Sequence, residues 1–207
     1  GKKTGVVSTI NGDANVPFYK ELGNQGISAE DIPVVAFSVG EEELSGIDTK
    51  PLVGHLAAWN YFQSVDAKEN TAFIESWKKF TKDSKRVTND PMEATYIGFN
   101  MWVQAVEKAG TTDVDKVEAA MIGMKAPNLT GGIAEMGKNH HLTKPVLIGE
   151  IQDDGQFDVV WQTEGLVAGD AWSDFLPESK PLIADWTAPI KCGNYTTETK
   201  VCSGQNY

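Results

Sequence analysis

The sequence predicts an α/β protein, and two features of its first fifty residues carry that prediction. Residues 5–10 form a short β-branched run, which an Asn-Gly-Asp breaker separates from a helical pattern over residues 16–22. Residues 32–38 then form a near-continuous apolar run, typical of a strand buried on both faces of a parallel sheet, and an acidic helix start follows at residues 41–44. Two consecutive strand-to-helix units favour α/β architecture.

The middle of the chain is dominated by helical patterns. Hydrophobic periodicity predicts three helices, over residues 68–82, 91–110 and 114–122. Asp90 is the expected N-cap of the second helix, because Pro91 then occupies the first helical position. Asp113, or Thr112 just before it, caps the third.

Extended segments flank these helices on both sides. Residues 53–62 precede them and are rich in aromatic side chains. Short strands are expected after them, over residues 132–135, 146–152 and 157–162. The last two strands are joined by Asp153-Asp154-Gly155-Gln156, and Asp-Gly in that position indicates a hairpin.

Composition excludes two broad classes of function. The formal net charge is -11, with 29 acidic and 18 basic residues, and no dense basic cluster is present that could bind phosphates. We therefore expect no nucleic-acid partner. No stretch approaches the roughly 20 consecutive apolar residues that a membrane helix requires.

No catalytic or cofactor-binding motif is present, so the sequence predicts neither an enzyme nor a cofactor. The P-loop, the dinucleotide fingerprint, the EF-hand pattern and the nucleophile elbow are all absent. His55 lies in an apolar stretch and is interpreted as a core residue. His140 and His141 are adjacent, so on a strand they would point to opposite faces, one packed and one in solvent. The acidic run at residues 41–43 is what a helix N-terminus favours.

Two cysteines, Cys192 and Cys202, close a short polar segment near the end of the sequence. Such a loop would gain roughly 2 to 3 kcal/mol from a disulfide in an oxidising compartment. Two free thiols in a cytosolic tail are the alternative. The spacing does not favour a zinc site.

The candidate ligand site follows from the geometry of open α/β sheets, which bind ligands beyond the carboxyl ends of their strands. Two loops occupy such positions, and each offers three residues: Asn11, Gly12 and Asp13 after the first strand, and Ser38, Val39 and Gly40 after the second. Small polar residues and exposed main chain suit a neutral ligand rich in N–H and C=O groups. The alternative is that Asn-Gly-Asp is only a turn and helix cap.

Several longer segments together resemble the urea-binding proteins of ABC transporters. They are STINGDANVPFYKELGNQGI, PVVAFSVGEEEL, GHLAAWNYFQSVD, NDPMEATYIGFNMWVQAVEKAG, GKNHHLTKPVLIGEIQDDGQFDVVW and DWTAPIKCGNY. Their order and spacing match as well, and the resemblance covers nearly the whole chain. It extends more faintly to the amide-sensing receptors that regulate amidase expression.

This resemblance implies the type I periplasmic-binding fold, in which two α/β lobes with parallel sheets and flanking helices are joined by three crossovers and trap ligand between them. The chain corresponds to the second half of that family, so the first lobe is expected to be incomplete. The implied organisation has four parts: second-lobe units over residues 1–52, a crossover and first-lobe helices over 53–130, returning second-lobe strands over 131–164, and an irregular tail over 165–207.

The resemblance also implies a function: a periplasmic receptor, not an enzyme, that captures urea or a short-chain amide and delivers it to the permease subunits of an ABC transporter. The alternative is a sensor of amides or amino acids that regulates gene expression or signalling. Carried over by position, Ser38 and the amides around Gly12 and Val39 bond the ligand, and Tyr61 lies near a hinge. Asp13 either caps the following helix or accepts an amide N–H.

Overall fold

The computed structural model describes residues 3–170 and the backbone of two short strands further on. Strands and helices alternate only as far as α3, after which two more helices and then six described strands follow. The order is β1 (Val6–Ser8), α1 (Asn15–Asn24), β2 (Val34–Ala36), α2 (Glu41–Leu44), β3 (Leu56–Trp59), α3 (Lys68–Thr81), α4 (Asp90–Ala109), α5 (Val114–Met121), β4 (Lys125–Pro127), β5 (Ile133–Glu135), β6 (Leu147–Ile151), β7 (Phe157–Gln162), β8 (Asn194–Thr196) and β9 (Val201–Ser203). The predicted α/β class is confirmed.

Five strands form the main sheet, in the order β1-β2-β3-β6-β7. The first three are parallel to one another, whereas β6 pairs antiparallel with β3 and β7 antiparallel with β6. The predicted late hairpin is confirmed, and its turn contains Gly155 at a φ of +79°, a conformation that favours glycine. The result is a mixed sheet whose parallel edge is β1.

A first hydrophobic core joins this sheet to α1 and α2. Its buried members come from four strands, both helices and the connections between them: Tyr19, Leu22, Val34, Ala36, Val39, Leu44, Leu52, Ala57, Phe62, Leu147, Ile151 and Phe157. The alternation of buried and half-buried residues along β6 explains why that segment forms a strand. By contrast, Val7 on the edge strand β1 is 69% exposed.

A second hydrophobic core is built around α4, and its residues come from the part of the chain between β3 and β6. It contains Tyr61, Phe73, Ile97, Met101, Ala126, Leu129, Ala134 and Met136. Helix α4 buries Ile97, Met101 and Ala105, which recur every four residues along one face. The helix ends at Gly110, which adopts the left-handed conformation.

Asp90 is not the N-cap of α4, contrary to the sequence prediction. Asn89 caps the helix, because its side chain accepts a hydrogen bond from the N–H of Met92 at 3.2 Å. Asp90 is instead the first helical residue, and its carboxylate accepts from the N–H of Asn60 at 3.0 Å. The prediction for α5 is confirmed, since Asp113 accepts from the N–H of Lys116.

Two segments differ from the organisation that the family resemblance implied. Residues 53–62 were expected to form a crossover, yet they contain β3, which continues the sheet beside β2. Residues 132–135 were expected to return to the second lobe with β6 and β7. Instead, β5 pairs with β4 in a separate two-stranded sheet, and Ala134 packs in the second core. The chain therefore rejoins the main sheet only at β6.

The last part of the chain is described only in its backbone at β8 and β9, which pair with each other antiparallel. The predicted pairing of Cys192 with Cys202 lies outside the described residues, because Cys192 is not among them and no side chain is described for Cys202. Through residues 3–170, none of the helices has the length and apolar character required to cross a membrane.

Candidate ligand-binding crevice

Strands β1 and β2 end side by side, and this places their following loops together. Ser8, at the carboxyl end of β1, is the register partner of Ala36 at the carboxyl end of β2. Since the two strands are parallel, the loops after them leave the same edge of the sheet. The two loops predicted to hold ligand are therefore neighbours in the structure.

Asn15, the first residue of α1, fastens the two loops to each other. Its side chain is fully buried, and its Nδ2 donates to the carbonyl of Ile10 at 3.0 Å and to the carbonyl of Ser38 at 2.8 Å. The hydroxyl of Ser38 donates to the same carbonyl of Ile10. Sequence reasoning missed Asn15, because its two acceptors become neighbours only when β1 and β2 pair.

The loop after β1 presents its three predicted residues to solvent. Asn11, Gly12 and Asp13 are all exposed, and Gly12 has a φ of +56° that favours glycine. Helix α1 is preceded by Ala14 and has no side-chain cap, so of the two roles expected for Asp13, capping this helix is wrong. The Asp13 carboxylate is free of that role and is exposed at the edge of the sheet where the two loops meet.

The loop after β2 is less open than the sequence predicts. Ser38 is half-buried, whereas Val39 is fully buried in the first core and Gly40 is buried beside Trp59. A methyl group added at Gly40 would lie 3.4 Å from the Trp59 ring, in ordinary van der Waals contact. Ser38 can therefore reach a ligand, while Val39 and Gly40 shape the loop from within.

Tyr61 does not join the crevice loops. It is fully buried in the second core, and its hydroxyl is 2.7 Å from both Asn70 Oδ1 and Thr88 Oγ1. Burial raises the pKa of this phenol well above its usual range. In this structure Tyr61 anchors the connection between β3 and α3 to the helices.

A polar network ties that connection to neighbouring segments. The N–H of Gln63 donates to Glu41 Oε1 at 2.6 Å, and the N–H of Thr88 donates to Gln63 Oε1 at 2.7 Å. Asn60 Nδ2 donates to the carbonyl of Pro145 at 2.7 Å. These bonds join the connection after β3 to α2, to the segment before α4 and to the chain that returns to the sheet before β6.

Three buried carboxyl groups belong to this region. Burial raises the pKa of Asp90 to about 6, with Lys144 opposing the rise and Glu93 adding to it. Burial likewise raises the pKa of Glu41 to about 8. Burial also raises the pKa of Glu93, against the opposing charge of Lys144, with which Glu93 forms an ion pair. Burial thus disfavours the charged form of three carboxyl groups where the sheet and the helices connect.

The histidines lie elsewhere. His55 is fully buried, as predicted, and its Nδ1 accepts from the N–H of Val34 at 3.1 Å, at the amino end of β2 and opposite the crevice. Burial lowers its pKa. His140 and His141 are both exposed, so the expectation that one of them packs is wrong. His140 has a φ of +58° and lies in a turn instead of a strand.

The sequence matches the profile of a known protein family. The profile of the family described as "Periplasmic binding protein domain" matches residues 1–178. The chain belongs to this family. Its fold is that of the type I periplasmic binding proteins, represented here in part.

Solved structures agree with this assignment of the fold. One is a solute-binding protein of an ABC transporter from Rhodopseudomonas palustris HaA2 in complex with p-hydroxybenzoic acid. It has a TM-score of 0.68 and 24% identity, over 81% of this chain and 46% of that one. Another is a leucine-binding protein from Thermotoga maritima MSB8, with a TM-score of 0.58 and 16% identity over 76% and 44% of the two chains. The chain thus spans less than half the length of either.

One relative in the sequence comparison is not named as a binding protein. The chain is 36% identical over 117 residues to a protein named limonene hydroxylase from Geobacillus stearothermophilus. That match covers 56% of this chain and only 21% of the relative. The name of the relative therefore belongs to a protein most of which has no counterpart in this alignment, because the alignment covers only about one fifth of it.

Proposed function

We propose that this chain is the ligand-capturing part of a solute-binding receptor, which works outside the cytoplasm and delivers a small molecule to the permease subunits of an ABC transporter. One observation carries the proposal: two loops meet at the carboxyl ends of parallel strands, fastened by Asn15, and present Asp13 and Ser38 at one edge. Such an edge is where open α/β sheets bind ligands. Family membership and the solute-binding proteins among similar structures support this role.

The proposed ligand is urea or a short-chain amide. The accessible Asp13 carboxylate accepts hydrogen bonds from amide N–H groups, while the Ser38 hydroxyl and the main chain around Gly12 offer both donors and acceptors. These groups suit a small neutral molecule that both donates and accepts. The resemblance of the longer segments to urea-binding proteins favours the same ligand class.

An aromatic acid is the second candidate ligand, and Phe37 is the residue that favours it. This side chain is 49% exposed directly after β2, beside Ser38. An exposed aromatic ring at this edge can pack against an aromatic ligand. A similar solved structure is named as a complex with p-hydroxybenzoic acid.

Calorimetric titration of the protein purified from the cells that make it tests the ligand class. Urea, acetamide, formamide, 4-hydroxybenzoate and leucine are titrated separately under identical conditions. We expect saturable binding of urea or a short amide with no product formed. Binding of 4-hydroxybenzoate or leucine alone would replace the amide proposal, whereas turnover of any compound would contradict the receptor role.

A further inference from the structure

The end of α3 and the loop after it concentrate positive charge. Residues 78–86 contain one acidic residue, Asp83, and five of the 18 basic residues of the chain: Lys78, Lys79, Lys82, Lys85 and Arg86. Lys78 is half-buried and the other four are exposed. Five basic residues and one acidic residue give this segment a formal charge of +4, although the whole chain carries -11.

Two aromatic rings lie among these charges. Phe80 is 80% exposed, and its ring stacks with that of Trp77 at a centroid distance of 6.0 Å and an angle of 25°. The guanidinium of Arg86 lies 5.7 Å from the centre of the Trp77 ring. Trp77 Nε1 donates to the carbonyl of Val87 at 3.0 Å, which fixes this ring between the helix and the loop. We call residues 77–86 the basic end of α3.

The helix C-terminus accounts for only part of this pattern. The helix dipole favours lysine in the last turn, which explains Lys78 and Lys79. It does not explain the exposed ring of Phe80 or the three cations beyond the helix. Lys82 has a φ of +54°, a left-handed conformation that glycine adopts more easily than lysine.

Most of the charges in this segment have no ion-pair partner. Arg86 lies 3.7 Å from Glu42, and both side chains are nearly half exposed, so this pair is weak. Within residues 3–170, the four lysines of the segment form no ion pair. An anionic partner can therefore contact them without first breaking salt bridges.

We infer that the basic end of α3 binds a membrane surface that contains anionic phospholipids, with Phe80 at the boundary between headgroups and acyl chains and the cations at the phosphates. Long basic side chains keep their charge in the polar layer while a neighbouring apolar group enters the membrane. Each cation near an anionic membrane adds to the attraction.

The composition of the segment fits a membrane better than a protein partner. Lysine is depleted at protein–protein interfaces, whereas four lysines lie in this segment. One side of a stable protein interface normally has roughly 20–30 residues, more than this segment contains.

The inference departs from the sequence-based expectation that no basic cluster binds phosphates. That expectation considered charge alone and left out the exposed ring of Phe80. The inference does not rest on the proposed ligand, so membrane binding and ligand capture can each fail while the other holds.

Co-sedimentation with lipid vesicles tests the inference. The protein purified from the cells that make it is mixed with vesicles of phosphatidylcholine, or with vesicles of equal parts phosphatidylcholine and phosphatidylglycerol. We expect at least about tenfold tighter binding to the anionic vesicles, and a decline of that preference as salt screens the charges. Equal binding to both kinds of vesicle would overturn the inference.

A double substitution assigns the binding to this segment. Lys79→Gln with Lys82→Gly removes two charges, and glycine suits the left-handed conformation at position 82, so we expect no loss of stability in a parallel thermal unfolding measurement. Affinity for anionic vesicles should fall by about tenfold or more. The control, Lys68→Gln with Lys138→Gln, removes two exposed lysines elsewhere and should change affinity less than about twofold. Equal losses in the two double variants would attribute binding to overall charge and overturn the inference.

The aromatic contribution is measured separately. Phe80→Ala should weaken binding to anionic vesicles several-fold, because the ring no longer enters the membrane. Val114→Ala, at a position 74% exposed at the start of α5, is the control and should leave binding unchanged. Parental binding by Phe80→Ala would overturn the role of the ring.

A photo-cross-linker in place of Phe80 distinguishes a membrane from a protein partner in intact cells. We expect adducts with phospholipid. Adducts with protein alone would assign the basic end of α3 to an acidic protein surface and overturn the inference.

Discussion

Asn15 is the residue on which the shape of the candidate crevice depends. It is buried at the start of α1 and bonds the loops that follow β1 and β2. Without Asn15 the carbonyl of Ser38 would lose this partner, whereas the carbonyl of Ile10 would keep the Ser38 hydroxyl. A shielded carbonyl without a partner costs about 1–3 kcal/mol. The same contact links the stability of the lobe to the position of Asp13 and Ser38.

Replacing this side chain therefore has two expected effects. Asn15→Ala lowers the free energy of unfolding by about 1–3 kcal/mol and weakens ligand binding. Guanidinium chloride denaturation measures the stability, because urea is a proposed ligand and cannot serve as the denaturant. The matched control is Asn24→Ala at the exposed end of α1, for which we expect a change within about 0.5 kcal/mol. Equal effects at both positions would contradict the role given to Asn15.

Glu41 makes the stability of the protein depend on pH. Its carboxyl group is buried and its pKa rises to about 8 in the folded state, from an ordinary value near 4.5, because burial and the nearby Glu43 and Asp90 disfavour its charge. The folded protein therefore binds this proton more tightly than the unfolded chain. The resulting stabilisation is fully present below about pH 4.5 and is lost as the pH rises through about 8.

Glu41→Gln should remove this dependence, because an amide does not ionise and its oxygen can still accept from the N–H of Gln63. Above pH 8 the variant should be more stable than the parent, by an amount on the order of a few kcal/mol. Denaturation curves from pH 5 to pH 9 measure the difference. The raised pKa of Asp90, about 6, leaves a smaller decline near the acidic end in both proteins.

Glu42→Gln is the control for this series, since Glu42 is exposed next to Glu41 and its ion pair with Arg86 lies at the surface. We expect it to keep the parental pH profile. A parental profile in Glu41→Gln as well would show that Glu41 does not carry the effect.

Strand β6 illustrates how packing between elements constrains a single residue. Gly149 lies where the register of β6 and β7 shifts, and a methyl group there would lie 2.8 Å from the Phe62 ring and 2.9 Å from Phe157 Cβ. Contacts that short require neighbouring atoms to move. A larger residue would push apart two rings of the first core.

Gly149→Ala should therefore destabilise the protein by about 1–3 kcal/mol. Gly98→Ala, in the middle of α4 with no atom within 4 Å of the added methyl group, should be neutral or stabilise by up to about 1 kcal/mol. Thermal unfolding of both variants beside the parent measures the two changes. A stable Gly149→Ala variant would mean that Phe62 and Phe157 are packed less tightly than the structure shows.

The elements differ in how far the sequence predicts them. Strong periodicity made α3 and α4 predictable to within a residue or two, and the Asp-Gly turn identified the hairpin of β6 and β7. The cap of α4 was misplaced by one residue, because Asn89 and Asp90 are both good caps by composition. Strand β4 was missed since it has only three residues and ends in Pro127.

At the scale of the whole molecule, long-range pairing limits what the sequence can tell. The position of β3 between β2 and β6 depends on register partners as distant as Leu56 and Glu150. The hydrogen bonds between Asn60 and Asp90 and between Gln63 and Glu41 likewise join residues that are far apart in the sequence. The polar network that joins the sheet to the helices could therefore not be predicted. That the two crevice loops are neighbours was predictable, because the loops that follow adjacent parallel strands leave the sheet at the same edge.

The edge formed by these two loops is proposed to capture a small solute, and the ligand affinity of variants tests this role most directly. Asp13→Ala and Ser38→Ala are titrated by calorimetry in the native protein with the tightest ligand of the panel, beside Asp115→Ala and Ser84→Ala at exposed sites elsewhere. Stability without ligand is measured in parallel, because Ser38 also bonds Ile10. We predict at least about a tenfold loss of affinity, near 1.4 kcal/mol, for each crevice variant and none for the controls. Unchanged affinity in both crevice variants would contradict the account.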